Sequence, residues 1–169
     1  MSSPRLQSYL RALGVALATA AGAAVGHAQS ASANITATVY QPITITKNND
    51  LLFGNVFPGV NSTVPVTGAA AKFTLAGQAS ANVDLSFTLP TNLTNGGNNL
   101  PIATWTGYYN TAASPSAGGT AFTPSASATS SAFSSGGALF VYVGATVQPA
   151  GNQAAGTYSG TLTLNAAYF

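Results

Sequence analysis

Beyond residue 28 the chain carries only four charged side chains, Lys47, Asp50, Lys72 and Asp84. Two lysines balance two aspartates, so that part of the chain has no formal charge, and the basic excess of the whole sequence comes from Arg5 and Arg11. Acid–base catalysis near neutral pH draws on His, Glu, Cys or a tuned Lys. The single histidine is His27, and there is neither glutamate nor cysteine. A serine nucleophile would therefore lack an imidazole to activate it, and a transition metal would lack its usual nitrogen and sulfur ligands. Asp50 beside Asn48 and Asn49 could contribute to a calcium site, but one carboxylate falls far short of a full oxygen ligand set. "KNND" reads more simply as a turn. No catalytic residue, cofactor or metal is expected, and the protein reads as a non-enzyme. Nucleic acid would need clustered Lys and Arg, and an anionic membrane surface would need a basic amphipathic stretch. Neither pattern is present.

The residues that remain are those of a β protein. The first 28 read as a secretory leader: Arg5 and Arg11, then "ALGVALATAAGAAV", then Gly26 and Ala28 as the small residues of a cleavage site. The apolar stretch of about 14 residues is shorter than the roughly 20 of a bilayer-spanning helix. The exported chain is expected to start at Gln29, without disulfides, and to be held together by one apolar core.

From there the pattern has period two. "NITATVY" puts Ile35, Ala37 and Val39 on one face and Asn34, Thr36 and Thr38 on the other, until Pro42, which has no N–H to give a ladder. "ITIT" resumes the pattern before "KNND", and Gly59 with Asn61 marks a turn. "KFTLAG" is a short strand. "NVDLSFTLP" buries Val83, Leu85, Phe87 and Leu89 and turns Asp84, Ser86 and Thr88 outward. "TNGGNN" is a turn, and "LPIATWTGYY" is a strand holding the single Trp. Residues 111–137, rich in Ser, Ala and Gly, read as a long loop with one short strand around Phe122. "ALFVYVGATV" is apolar on both faces and is expected to be central. The closing strand alternates again, with Tyr158, Gly160, Leu162, Leu164, Ala166 and Tyr168 on one face. About seven short strands without helical periodicity predict an all-β, immunoglobulin-like antiparallel sandwich. The expected organisation is a leader over 1–28, an N-terminal extension over 29–42 and a sandwich domain over 43–169.

Alternating strands at both ends invite pairing with another chain. On these residues the sequence resembles the subunits of chaperone–usher fimbriae, especially a cysteine-free group that uses an alternate chaperone. That pattern has a glycine near the C-terminus, matched by Gly156, and a penultimate tyrosine, matched by Tyr168, with alternating apolar residues between them. "NITATVYQP" looks like the donor strand of that group, and "LPIATWTG" and "AGTYSGTLTL" sit where it has similar strands. The loop at 111–137 has no counterpart there. The chain also looks like a family of small secreted bacterial domains of uncharacterised function.

The fimbrial resemblance implies a sandwich lacking one strand, completed by a strand donated from a neighbouring copy through Ile35, Ala37 and Val39. Gly156, Tyr158, Leu162, Leu164 and Tyr168 would form the terminal strand beside the open groove. The partners would be further copies of the chain and a periplasmic assembly chaperone, and the location an extracellular or cell-surface filament reached through the periplasm. Two other readings stay open. One is a secreted adhesin-like or carbohydrate-binding module, in which Trp105, Tyr108 and Tyr109 form an exposed aromatic platform. The other is a small outer-membrane barrel, against which "KFTLAG" and "ITIT" are shorter than the 9–11 residues a spanning strand needs.

Overall fold

The computed structural model describes residues 29–169. The expected leader, with cleavage after Ala28, lies outside the described residues. Two units divide between Ala37 and Thr38. Residues 29–37, the described part of the first, belong to no strand and are exposed throughout.

All ten strands belong to the second unit, Thr38–Phe169, and no helix occurs among the described residues. In chain order they are β1 (Thr44–Asn49), β2 (Ser62–Val64), β3 (Ala71–Ala76), β4 (Asn82–Thr88), β5 (Asn92–Asn95), β6 (Asn98–Asn110), β7 (Thr120–Phe122), β8 (Thr129–Ala132), β9 (Ala138–Val147) and β10 (Thr163–Tyr168). The larger sheet runs β1-β3-β9-β6-β5, with β2 also on β9 and β7 also on β6; the smaller runs β10-β4-β8. Every pairing is antiparallel. This is the all-β sandwich that the period-two pattern predicts, with ten strands where about seven were expected.

Sequence alternation accounts for the core. β4 buries Val83, Leu85 and Phe87, and β3 buries Ala71, Phe73 and Leu75. β9, apolar on both faces, is central, flanked by β3 and β2 along one edge and β6 along the other. Its Leu139, Val141 and Val143 face β4 residues in one continuous cluster. At about 1.5–3 kcal/mol per fully buried side chain of this size, these inner faces supply the stability that a chain without disulfides needs. The β5–β6 hairpin closes on Gly96 and Gly97, both at positive φ (53° and 92°), the backbone that a two-residue hairpin turn of this twist demands.

Two stretches differ from the sequence reading. "KNND" does not turn the chain: Lys47–Asn49 continue β1 across a bulge against β3. Asn48 Oδ1 accepts the Thr74 hydroxyl at 2.6 Å, and Lys47 meets Asp50 at 2.6 Å, so the polar side chains knit the bulge instead of reversing the strand. Within 111–137, β7 lies where a short strand was expected, but β8 is a second one. β8 reads "TSSA" and has no apolar period; its ladder to β4 and the burial of Phe133 just after it hold it in place. The start of that region is pinned by Asn110, whose Nδ2 donates to the carbonyls of Ser114 (2.9 Å) and Ala117 (2.7 Å) while Oδ1 accepts the Ala112 N–H.

On the outer face of β9, Tyr142 is 5% exposed, and the described residues give its hydroxyl no hydrogen-bond partner. Burial pushes this phenol above its ordinary value near 10. The fold thus opposes deprotonation, and that contribution, complete below about pH 10, is lost as pH rises through the folded value. Tyr142→Phe should melt at or above the wild-type temperature, because an unmet buried hydroxyl costs about 1–3 kcal/mol. Between pH 9 and 11 its melting temperature should also fall less than that of the wild type, which thermal melts at the two pH values will show.

Candidate functional site

The sandwich is open along one side. β10 pairs with β4 through six residues, from Thr163↔Thr88 to Tyr168↔Val83, and no described strand pairs with its other edge. The residues leading into β10 are held by one bridge, between Ser159 and Thr94, with N–H···O distances of 2.9 and 3.0 Å in the two directions. Across from them, residues 50–61 join β1 to β2 without forming a strand. Between these two segments lies a groove of about 1100 Å³.

Its lining is mostly core-type. β3 contributes Ala71 and Phe73, β6 contributes Leu100, Ile102 and Trp105, and Leu93 comes from β5. The segment after β1 adds Leu51, Phe53, Val56 and Phe57, and the approach to β10 adds Tyr158, Gly160 and Leu162. Leu52 and Phe57 on the lining are 64% and 67% exposed, large apolar side chains left in water beside an opening to the interior. Charge is confined to Lys47 and Asp50 among the lining residues, and these are mutually paired and largely exposed, an arrangement worth little to stability. Among the described residues no group of three metal-ligating side chains occurs, and no helix is long and apolar enough to cross a membrane.

One stretch of the groove is shaped by glycine and a polar latch. Tyr158 Oη donates to the Ala154 carbonyl (2.8 Å) and accepts from Gln153 Nε2 (2.6 Å), which also donates to the Asn99 carbonyl. Gly156 between them sits at φ 148°, and a Cβ there would run into Asn95 Nδ2. Gly156→Ala should therefore push this segment off the β5 hairpin and destabilise the domain by about 1–3 kcal/mol, measurable as a lower urea midpoint.

The sequence-predicted residues fall as follows. The expected terminal strand is shorter than its alternation: β10 covers only Thr163–Tyr168, and Gly156, Tyr158 and Leu162 precede it, joined to the hairpin by the single Ser159–Thr94 bridge. Within β10, Leu164 is buried and Ala166 and Tyr168 are half-buried on the same face, whereas Thr163, Asn165 and Ala167 are exposed on the other; before it, Tyr158 and Leu162 are half-buried. Ile35 is 96% and Val39 90% exposed, and Ala37 is exposed too. Trp105, Tyr108 and Tyr109 do not make one platform. Trp105 and Tyr109 share the inward face of β6, opposite Ala145 and Val141, and pack on the core, whereas Tyr108 lies opposite Tyr142 on the outward face. Residues two apart on a strand share a face and adjacent ones do not, so three aromatics at 105, 108 and 109 are necessarily split. The wall formed by Leu51–Pro58 and the Gln153 latch were not anticipated from sequence; the apolar run "LLFGNVF" was the available signal.

Fold and site together define an antiparallel β-sandwich domain whose interior opens in an apolar groove between the segment after β1 and the segment that leads into β10. The chain belongs to the family described as a domain of unknown function, DUF4402, whose model matches residues 43–168. No curated protein matches the sequence. The matched span begins just after Pro42, so the alternating segment Asn34–Tyr40 lies outside it.

Proposed function

We propose that this protein is a non-catalytic structural subunit of an extracellular filament, in which Asn34–Tyr40 of one copy fills the groove of the next. The observation that carries the reading is the pairing of two incomplete parts in one chain. There is an apolar groove of about 1100 Å³ lined by the approach to β10, a strand whose outer edge has no partner among the described residues, and an alternating apolar segment that joins no ladder. An added strand satisfies the open N–H and C=O groups of β10, and every second side chain enters the groove. Ile35 and Val39 would each contribute about 1.5–3 kcal/mol on burial, offset by the cost of ordering the segment.

Donation from chain to chain is head-to-tail and does not close on itself, so it builds a filament. The near absence of charge suits such packing, since little self-repulsion keeps copies apart. Export through the periplasm, and an assembly chaperone that covers the groove beforehand, belong to the same proposal. The splitting of Trp105 and Tyr109 from Tyr108 disfavours a carbohydrate platform. A membrane barrel has no free edges, whereas β1 edges the large sheet and β10 and β8 edge the small one. The test is electron microscopy of the purified chain from Gln29 onward, which should show filaments that are absent once residues 29–41 are removed. A soluble monomer under all conditions would overturn the proposal.

A further inference from the structure

The root of the N-terminal segment is held mainly by one side chain, with the Gln41 N–H also donating to Gln78 Oε1 at 3.5 Å. Tyr168, the last residue of β10, turns its ring against Phe133 (centroids 6.0 Å apart) and meets the Tyr40 ring edge-on at 5.0 Å. Its hydroxyl accepts the Gln78 N–H at 2.6 Å and donates to the Gln41 carbonyl at 2.7 Å. A single oxygen thus joins the turn after β3 to the backbone that leads out of the domain. Gly77 makes room for it: a Cβ there would lie 2.6 Å from the hydroxyl and 2.8 Å from the Phe133 ring. Pro42 follows directly, with φ fixed by its ring, so the chain is stiff just beyond the bond.

We infer that the Tyr168 hydroxyl is a clamp that fixes the point from which Asn34–Tyr40 leaves the domain. The aromatic packing alone would hold a phenylalanine equally well. What the hydroxyl adds is a donor and an acceptor used at once, one toward the body and one toward the departing strand. Tyr168 is therefore a positioning residue for the arm and not part of the groove's contact surface. The consequence for assembly rests on the reading above, for a donor strand presented from a fixed root gives a stiff joint between successive copies. The clamp itself stands without that reading.

Tyr168→Phe separates the two. The ring stays, so the melting temperature and the exchange of core amides in β4 and β9 should be nearly unchanged. The Gln78 amide should exchange roughly five- to tenfold faster, as expected for loss of one hydrogen bond. The chain has no cysteine, so spin labels placed through Ser32→Cys and Ser135→Cys are unique. In the purified monomeric protein their distance distribution should be narrower with Tyr168 than with phenylalanine at that position. Equal distributions and equal Gln78 exchange would overturn the clamp, as would a uniform loss of protection across the whole domain, which marks a merely stabilising hydroxyl. Where filaments form, those of the variant should bend over a shorter length. If neither protein forms filaments, the assembly reading fails while the exchange and distance results still decide the clamp.

Discussion

A chain lacking residues 29–41 is expected to remain monomeric where the chain from Gln29 polymerises, and to melt at a higher temperature once a peptide of the sequence Asn34–Tyr40 is added. The domain loses no strand by the deletion, since residues 29–41 belong to none. It does lose the Gln41 carbonyl that Tyr168 holds, a change near the end of β10 and outside the core. The peptide binds the folded domain and not the unfolded chain, so the stabilisation grows with its concentration. At one hundred times its dissociation constant the gain is about 2.7 kcal/mol, which for a domain of this size raises the melting temperature by roughly ten degrees. A peptide with Ile35, Ala37 and Val39 all replaced by Thr should do nothing, because no register then offers the groove an alternating apolar face. If the segment instead completes its own domain, the intact chain will be a monomer, the truncated one will unfold, and thermal melts will not respond to peptide.

What the sequence showed and what it hid follow from which interactions leave a mark on residue type. β4 and β10 were legible because each has one face in the core and one in water, and burial writes that as alternation: Val83, Leu85 and Phe87 in the first, Leu164, Ala166 and Tyr168 in the second. β9 was legible as a central strand because both its faces are covered. β8 was not, since "TSSA" is held by backbone ladder bonds to β4, which any sequence can make. The "KNND" bulge was misread for a related reason: Asn and Asp favour turns in general, and only the partner strand, whose Thr74 hydroxyl donates to the bulged Asn48, shows that the two asparagines stay in the sheet. The groove was the least legible feature. It is a relation between β3, β6, the stretch 50–61 and the approach to β10, and no local pattern records a space between segments so far apart in the chain. Its unpaired edge was nevertheless foreshadowed by the alternation of the closing strand.

A single carboxylate placed at Ile35 is expected to abolish binding of the segment, while the same change one residue along is tolerated. In the proposed register Ile35 enters the groove and Thr36 faces away from it. An Ile35→Asp peptide would have to bury a charge among side chains such as Phe53, Leu93, Leu100 and Trp105. The one cation on that lining is Lys47, already paired with Asp50 at 2.6 Å. Burying an unpaired carboxylate costs several kcal/mol, and at about 1.4 kcal/mol per tenfold this weakens binding by roughly a thousandfold or more. Thr36→Asp keeps its charge in water and should shift affinity only a few-fold. The groove supplies its own reporter, because Trp105 is the single tryptophan of the chain, half-buried on the lining. Titrating the wild-type peptide into the chain lacking 29–41 should move the tryptophan emission to shorter wavelength and saturate. The Thr36→Asp peptide should reproduce that curve, and the Ile35→Asp peptide should leave the spectrum unchanged at the same concentrations. Equal losses from both substitutions would mean that the segment does not bind with alternate side chains inward, and strand donation into this groove would then be the wrong account of it.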